Sequence, residues 1–391
     1  MREHTRPHQW QEMIKPYLDA AIRQARERAK LLKVKIPQPV RATELVALQR
    51  LCETRIDGII SQLDYLLTDQ VILIEELVKE RIRMFRRILR ELSQLETAAI
   101  AALSRVHDDD IFLNRLVFQI HTEINFPLSP PTVTCLSRGY FSINTSLYLL
   151  EVPLAESDFL LHLPDLYHEI AHLLIVASNN PKVEAFQLEF GKFLFAVDQY
   201  FDIERSVNAR ATGPTAYFAQ ALDVLQRDWI HWATEIFCDL FAIYTLGPAY
   251  AWAHFHLTAG FEGDPYDVRL TRLMSHPPDQ ARLEAMLLGL DLLGFQKDAA
   301  AIQKMWEALV QSTGASQTPM YRKACPQQLL QQAAVHAFEG TKKIGCRIVT
   351  DSTNDPVHGL LNSAWQEFWA APNQYHAWER EAIKMLKQGR Q

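Results

Sequence analysis

The sequence predicts a mainly α chain of the α+β class, and three observations carry that expectation. Apolar residues return every three or four positions over most of the 391 residues, β-branched and aromatic residues crowd into one stretch only, and prolines separate the two patterns. With 48% hydrophobic and 22% charged residues the chain has the profile of an ordinary globular protein, which argues against extended disorder. Its length implies two or three packed units.

From Ala42 to about Val106 the apolar positions follow a helix: Leu45, Leu48 and Leu51, then Ile59, Leu63 and Leu66, later Leu77, Ile82, Phe85, Leu89 and Leu92. A long helical hairpin is expected, with Thr68 and Asp69 as cap residues where its second helix begins. The run from Glu80 to Leu92 sets arginines beside Ile82, Met84, Phe85 and Ile88, the pattern of a bundle helix with a basic outer face. Such a face suits an acidic partner or a membrane surface, so the basic N-terminal helices are the candidate site for a protein partner.

Asp108, Asp109 and Asp110 end this region, and Pro127, Pro130 and Pro131 interrupt any helix before Thr132. Between Val133 and Val152 the composition turns to β-formers, with a turn signal at Ser137-Arg138-Gly139, so a hairpin or small sheet is expected there. Its Phe141–Leu149 segment reads either as an edge open to an extended peptide or as an internal strand. Helical patterns resume at Asp158 and fill the rest, with loops expected at Asn208–Pro214, Thr313–Pro326 and Thr350–His358. Trp365, Phe368, Trp369, Tyr375 and Trp378 give the last part large apolar surfaces for packing. The expected divisions are 1–108, an N-terminal helical region; 109–300, a central domain; and 301–391, a C-terminal helical extension.

Charge and cysteine usage narrow the partners. A net charge of -6 provides no field for a polyanion, so nucleic acid is not expected, although the first 108 residues are net positive and the remainder acidic. Five scattered cysteines, Cys52, Cys135, Cys238, Cys325 and Cys346, form no CxxC pair and imply neither a disulfide framework nor a cysteine metal site. The N-terminus lacks the apolar core of a signal peptide, which makes a cytoplasmic location the expectation. Ile236–Phe261 has the length of a membrane span, but Asp239, Gly247-Pro248, His254 and His256 mark it as buried helices, so no transmembrane segment is expected.

The chemistry concentrates in Leu163–Ala177. His168 and His172 are four apart and leave one face of a helix, with Glu169 beside the first: the HExxH arrangement. Ile170, Ala171, Leu173, Leu174 and Ile175 make that helix apolar on nearly every side. Two imidazoles and a carboxyl buried there are costly unless a metal satisfies them together. A catalytic zinc takes three protein ligands, and Glu235, 63 residues beyond His172, is the candidate third. Asp239, one turn after Glu235, is placed to accept a hydrogen bond from the outer nitrogen of a ligand histidine, with His168 the expected donor. His231, His254 and His256 are left as core or surface residues, since three ligands complete the site.

HEIAH at 168–172, EIFCD at 235–239 and SHPPDQAR at 275–282 together resemble the successive motifs of gluzincin peptidases, most closely the family of the CAAX prenyl endopeptidases and related bacterial membrane peptidases. The resemblance covers roughly 160–290. It implies a zincin-like core with a small sheet in the central domain, one Zn2+ held by His168, His172 and Glu235, and hydrolysis of a protein or peptide substrate through a metal-activated water with Glu169 as general base. It further implies His276 as a catalytic donor to the reacting carbonyl oxygen, and Arg282 either at a substrate group or bracing an acid such as Asp239. The transmembrane helices of those relatives are missing from this sequence, so their prenylated or membrane substrates need not carry over. Two other readings stand beside the peptidase: a helical interaction protein around a structural or inactive zincin core, and a zinc hydrolase acting on a non-peptide amide.

Overall fold

The computed structural model describes residues 9–74, 77–137, 139–212, 216–260, 263–270 and 273–388. It is mostly helical with a small three-stranded sheet, in agreement with the expected class. The polar start of the chain and Arg138 of the expected turn lie outside the described residues. The chain divides into two compact units, the first made of 1–114, 132–136 and 146–151, the second of the remainder.

In the first unit α1 (Gln9–Lys35), α2 (Val46–Thr68) and α3 (Val78–Gln94) pack together, and α3 runs through a wide π turn at Leu95–Ile100 into the short α4 (Ala101–Ser104). The expected hairpin is thus a bundle joined by a third helix, because α1 supplies Ile22, Ala25, Ala29 and Leu32 to the same core. Along α2 the buried positions Leu48, Cys52, Ile56, Ile59, Leu63 and Leu66 step by three or four, which is the stripe a helix must present to bury one face. Arg81 departs from the expected outer face. It is buried, and its Nε donates to the Leu66 carbonyl at 2.9 Å while its other arm pairs with Asp19. Asp69 caps no helix start; its Oδ1 accepts the Val71 and Ile72 amides and so forms the turn that follows α2.

Helix α5 (Asp108–Glu123) begins in this unit, beside β1 (Thr132–Thr134) and β3 (Leu149–Glu151). These two strands pair in parallel, Thr132 opposite Leu149, so of the expected hairpin or small sheet it is the small sheet that forms. The other side of β1 is closed by side chains. Asn114 accepts the Val133 amide at 2.9 Å and donates to its carbonyl at 2.7 Å, and Asp110 accepts the Cys135 amide. Within Phe141–Leu149 β2 (Ser142–Asn144) is separated from Leu149, the first residue of β3, by a turn with Tyr148 at φ 49°, so the segment is not one continuous strand.

The second unit continues with α6 (Asp165–Val176), α7 (Glu184–Thr212), α8 (Ala216–Leu246), α9 (Pro248–Ala259), α10 (Asp279–Leu293), α11 (Gln296–Thr313), α12 (Pro319–Ala324), α13 (Gln327–Lys343), α14 (Pro356–Ala370) and α15 (Pro372–Lys387). All three expected loops are partly helical, the last because α14 already begins at Pro356. The α7 helix runs to Thr212, with 213–215 outside the described residues, and α12 forms where Thr318 caps the Tyr321 amide and Pro319 opens the first turn. The residues from 301 onward share one body with those before them. The Trp229 indole donates to the Ala324 carbonyl, the Tyr244 hydroxyl donates to Ala334, and Glu123 accepts the Val357 and His358 amides at the start of α14. Buried aromatic rings need such partners for their polar tips, and they find them across the expected 300/301 division.

No helix among the described residues is long and apolar enough to cross a membrane. The apolar Ile236–Phe261 stretch is broken at Gly247, whose φ of 85° suits glycine and turns the chain between α8 and α9.

Candidate metal centre

Helix α6 is buried on nearly every side, and His168 and His172 leave it one turn apart. Their Nε2 atoms stand 3.3 Å from each other. Helix α8 packs against α6 and brings Glu235 to the same place: Oε2 lies 3.4 Å from His168 Nε2, and Oε1 lies 4.0 Å from His172 Nε2. Donor atoms around a tetrahedral ion with bonds of about 2.0–2.1 Å stand about 3.3 Å apart. The His168–His172 and His168–Glu235 separations match this, and the His172–Glu235 contact, made through the other carboxylate oxygen, is wider.

Glu169 is a second carboxyl within reach, since donor atoms of His168, Glu169 and His172 all lie within 4.8 Å of one another. The two glutamates differ in electrostatics. Burial alone would raise Glu235, but the hydrogen bond and charge of His168, helped by Arg282 and His172, hold it down at about 2. Burial lifts Glu169 to about 7, against the weaker pull of His168. Burial opposes the charge on His168, but Asp239 and Glu235 raise its pKa to about 10. Its imidazolium therefore pairs with the ionised Glu235, and a metal at Nε2 would displace that proton, while Glu169 lies near neutrality. His172 is pushed down to about 4 by burial and by the neighbouring His168 charge, which keeps its ring neutral and its lone pair free.

Behind the donors lies a closed polar network. Asp239, fully buried, accepts from His168 Nδ1 at 2.8 Å, which turns that ring's Nε2 toward Glu235 and His172. The second buried oxygen network around Asp239 belongs to Arg282, which donates through Nε to Oδ2 at 2.8 Å and through a terminal nitrogen to Oδ1 at 2.6 Å. This resolves the two readings of Arg282: its guanidinium braces Asp239 and is itself largely buried. Burial opposes the Asp239 charge, but Arg282 and His168 outweigh it and hold the carboxyl well below its usual range.

The approach of α10 to α8 that makes this pairing possible depends on Gly289. A Cβ there would stand 3.0 Å from Leu240, 3.1 Å from Ile243 and 3.3 Å from Tyr244. Gly289 lies two turns along α10 from Arg282, so the helix that carries the arginine is seated by its missing side chain.

His276 reaches the centre from the segment before α10. Its Nε2 is 3.7 Å from Glu235 Oε2, and its side chain remains more than half exposed, facing outward beside Arg269, Leu273, Met274 and Ser275, which line a shallow cavity of about 430 Å³ with it. His254 is buried and stacked on Trp306, and His256 packs against Trp365 and Phe368, so neither adds a donor at the Glu235 site.

Three residues that the sequence reading did not single out complete the surroundings. The Tyr250 hydroxyl donates to Asp239 Oδ1 at 2.5 Å and lies 2.9 Å from His168 Nδ1, with its ring stacked on the imidazole. It arrives there because Gly247 reverses the chain and Pro248 starts α9 at once. Asp165, in the first turn of α6, accepts from the Tyr140 hydroxyl and is raised to about 6 by burial. The Gly247-Pro248 break was the one signal that pointed at Tyr250; spacing gives none for the Tyr140–Asp165 pair.

No protein-family model, curated protein or solved structure matches the chain.

Proposed function

We propose that this chain is a zinc-dependent endopeptidase of gluzincin type, with a zincin-like core in its second unit. The observation that carries the reading is the convergence of His168, His172 and Glu235 on one place, with donor atoms 3.3 to 4.0 Å apart and His168 oriented from behind by Asp239. These three residues would hold the ion. When bound, zinc supplies Lewis acidity that lowers the pKa of water and polarises a carbonyl.

The remaining roles fall to the chain's own groups. Glu169, next to the ligand His168 on α6, is the base that takes the proton of the attacking water and passes it to the leaving amine. His276, exposed on the open side of Glu235, donates to the carbonyl oxygen as negative charge develops on it. Asp239, Arg282 and Tyr250 touch no substrate; they fix the His168 ring and keep its outer nitrogen from turning away.

The test pairs metal analysis with one substitution. Purified protein is expected to carry one zinc per chain, and Glu169→Gln to retain it while losing proteolysis by at least a hundred-fold, the scale of general-base catalysis. Protein that binds no divalent metal, or proteolysis that survives Glu169→Gln, overturns the proposal. The inactive variant also serves as a trap for the substrate.

A further inference from the structure

The first unit carries a surface with no part in the metal centre. Along α3, Lys79, Arg83, Arg86, Arg87 and Arg90 are all exposed. At 100° per residue they fall within an arc of about 100° and extend for about 16 Å along the helix. Glu80 is the single acid among the exposed charges of this stretch and is engaged by Arg83 at 2.5 Å. Arg86, Arg87 and Arg90 form no ion pair among the described residues, whereas Arg55, Arg81 and Lys33 elsewhere in the same unit are each paired with an acid. Glu75 and Glu76 lie outside the described residues.

At one end of this stripe the surface is apolar. Arg81 bonds at once to the Leu66 carbonyl of α2 and to Asp19 of α1, so those three positions share one level of the bundle. Just beyond that level the chain exposes Tyr17 at 69%, Val71 at 61% and Ile74 at 46%. Three large side chains left in water at the end of a helix whose Arg86, Arg87 and Arg90 have no ion pair among the described residues are a costly arrangement for a surface that meets only solvent.

We infer that this end of the first unit docks on an anionic lipid bilayer, with the α3 cations on the headgroups and Tyr17, Val71 and Ile74 inserted at the headgroup–acyl boundary. Charge complementarity selects an anionic surface, and the apolar crown selects lipid over nucleic acid, which offers phosphates but no apolar layer at the end of a basic helix.

The experiment uses the full chain and sedimentation with vesicles of phosphatidylcholine alone or with phosphatidylserine. Binding is expected only where phosphatidylserine is present and should weaken sharply as salt rises from about 0.15 M to about 1 M, which contracts the screening length to about 3 Å. Each cation near an anionic leaflet strengthens binding about five-fold, so Arg86→Gln/Arg87→Gln/Arg90→Gln should weaken it on the order of a hundred-fold. Arg227→Gln, an exposed change in the second unit, should leave binding unchanged. Val71→Ser/Ile74→Ser should weaken vesicle binding and leave retention on a heparin column as it was. Zinc content and thermal melting of every variant report whether it folds. The inference fails if phosphatidylserine vesicles do not bind the chain, if Arg227→Gln weakens binding as much as the triple change, or if the Val71→Ser/Ile74→Ser variant binds vesicles as the parent does. In that last case the stripe is a general polyanion surface.

Discussion

Asp239 and Arg282 meet through two hydrogen bonds inside the protein, at 2.8 and 2.6 Å, and the carboxylate so held also accepts from His168. A buried carboxylate facing a single imidazole would cost more than it returned; the guanidinium makes the position tolerable. Arg282→Met should therefore strip a partner from a buried charge and destabilise the chain by about 3–5 kcal/mol in urea unfolding. The double change Arg282→Met/Asp239→Leu removes both charges and should recover part of that loss. A double variant no more stable than the single one would show that the pair is not the cause.

Fixing the His168 ring should show in metal affinity. Asp239→Asn keeps the shape of the side chain but replaces a charged acceptor, and a loss of 10–100-fold in zinc affinity is expected in competition with a chromogenic chelator. Tyr250→Phe, which deletes one hydroxyl and leaves the stacked ring, should cost less. Equal affinities for all three proteins would contradict the assigned orientation role.

Close helix approach at Gly289 makes a steric prediction. Gly289→Val forces α10 away from Leu240 and Ile243, and about 1–3 kcal/mol of stability should be lost. Because α10 carries Arg282, zinc affinity should fall with it. Gly294→Ala, later in the chain at a helix C-terminus with φ 89° and no atom within 4 Å of a new Cβ, should strain only its own backbone and leave zinc affinity intact.

A pH effect away from the metal comes from His121. Burial holds its pKa down to about 4, opposed only in part by the Leu128 backbone, against 6.5 in the unfolded chain. Above pH 6.5 both forms are neutral and this residue leaves stability unchanged. As pH falls from 6.5 to about 4 the unfolded chain takes up a proton that the folded chain refuses, and stability drops by about 1.4 kcal/mol per pH unit. Urea midpoints measured at pH 7.5 and 5.0 should differ by less in His121→Leu than in the parent. An unchanged difference would rule this residue out as the source.

Some of this was legible before any coordinates. The α2 stripe of Leu48, Cys52, Ile56, Ile59, Leu63 and Leu66 follows from periodicity, because a helix can bury one face only by repeating apolar residues at its own pitch. The placement of His168 and His172 on one face of α6 follows from their spacing of four, by the same helical arithmetic. Strand pairing did not follow. The β-rich composition of Val133–Val152 is the same for a hairpin as for the parallel β1–β3 ladder, and the choice rests on Asn114 and Asp110 closing the other side of β1.

Sequence by itself determined the helical class, the paired histidines of α6 and the Glu235–Asp239 spacing on α8, because each depends on contacts within a turn or two of one helix. Only the tertiary structure decided that Arg282 spends its charge on Asp239, that Tyr250 closes over His168, and that the last ninety or so residues pack into the second unit and form no separate one. Those outcomes depend on where α10, α9 and α14 land against α8 and α5. Such packing is set by Gly289, Gly247 and Glu123 acting across long separations, which no local pattern encodes.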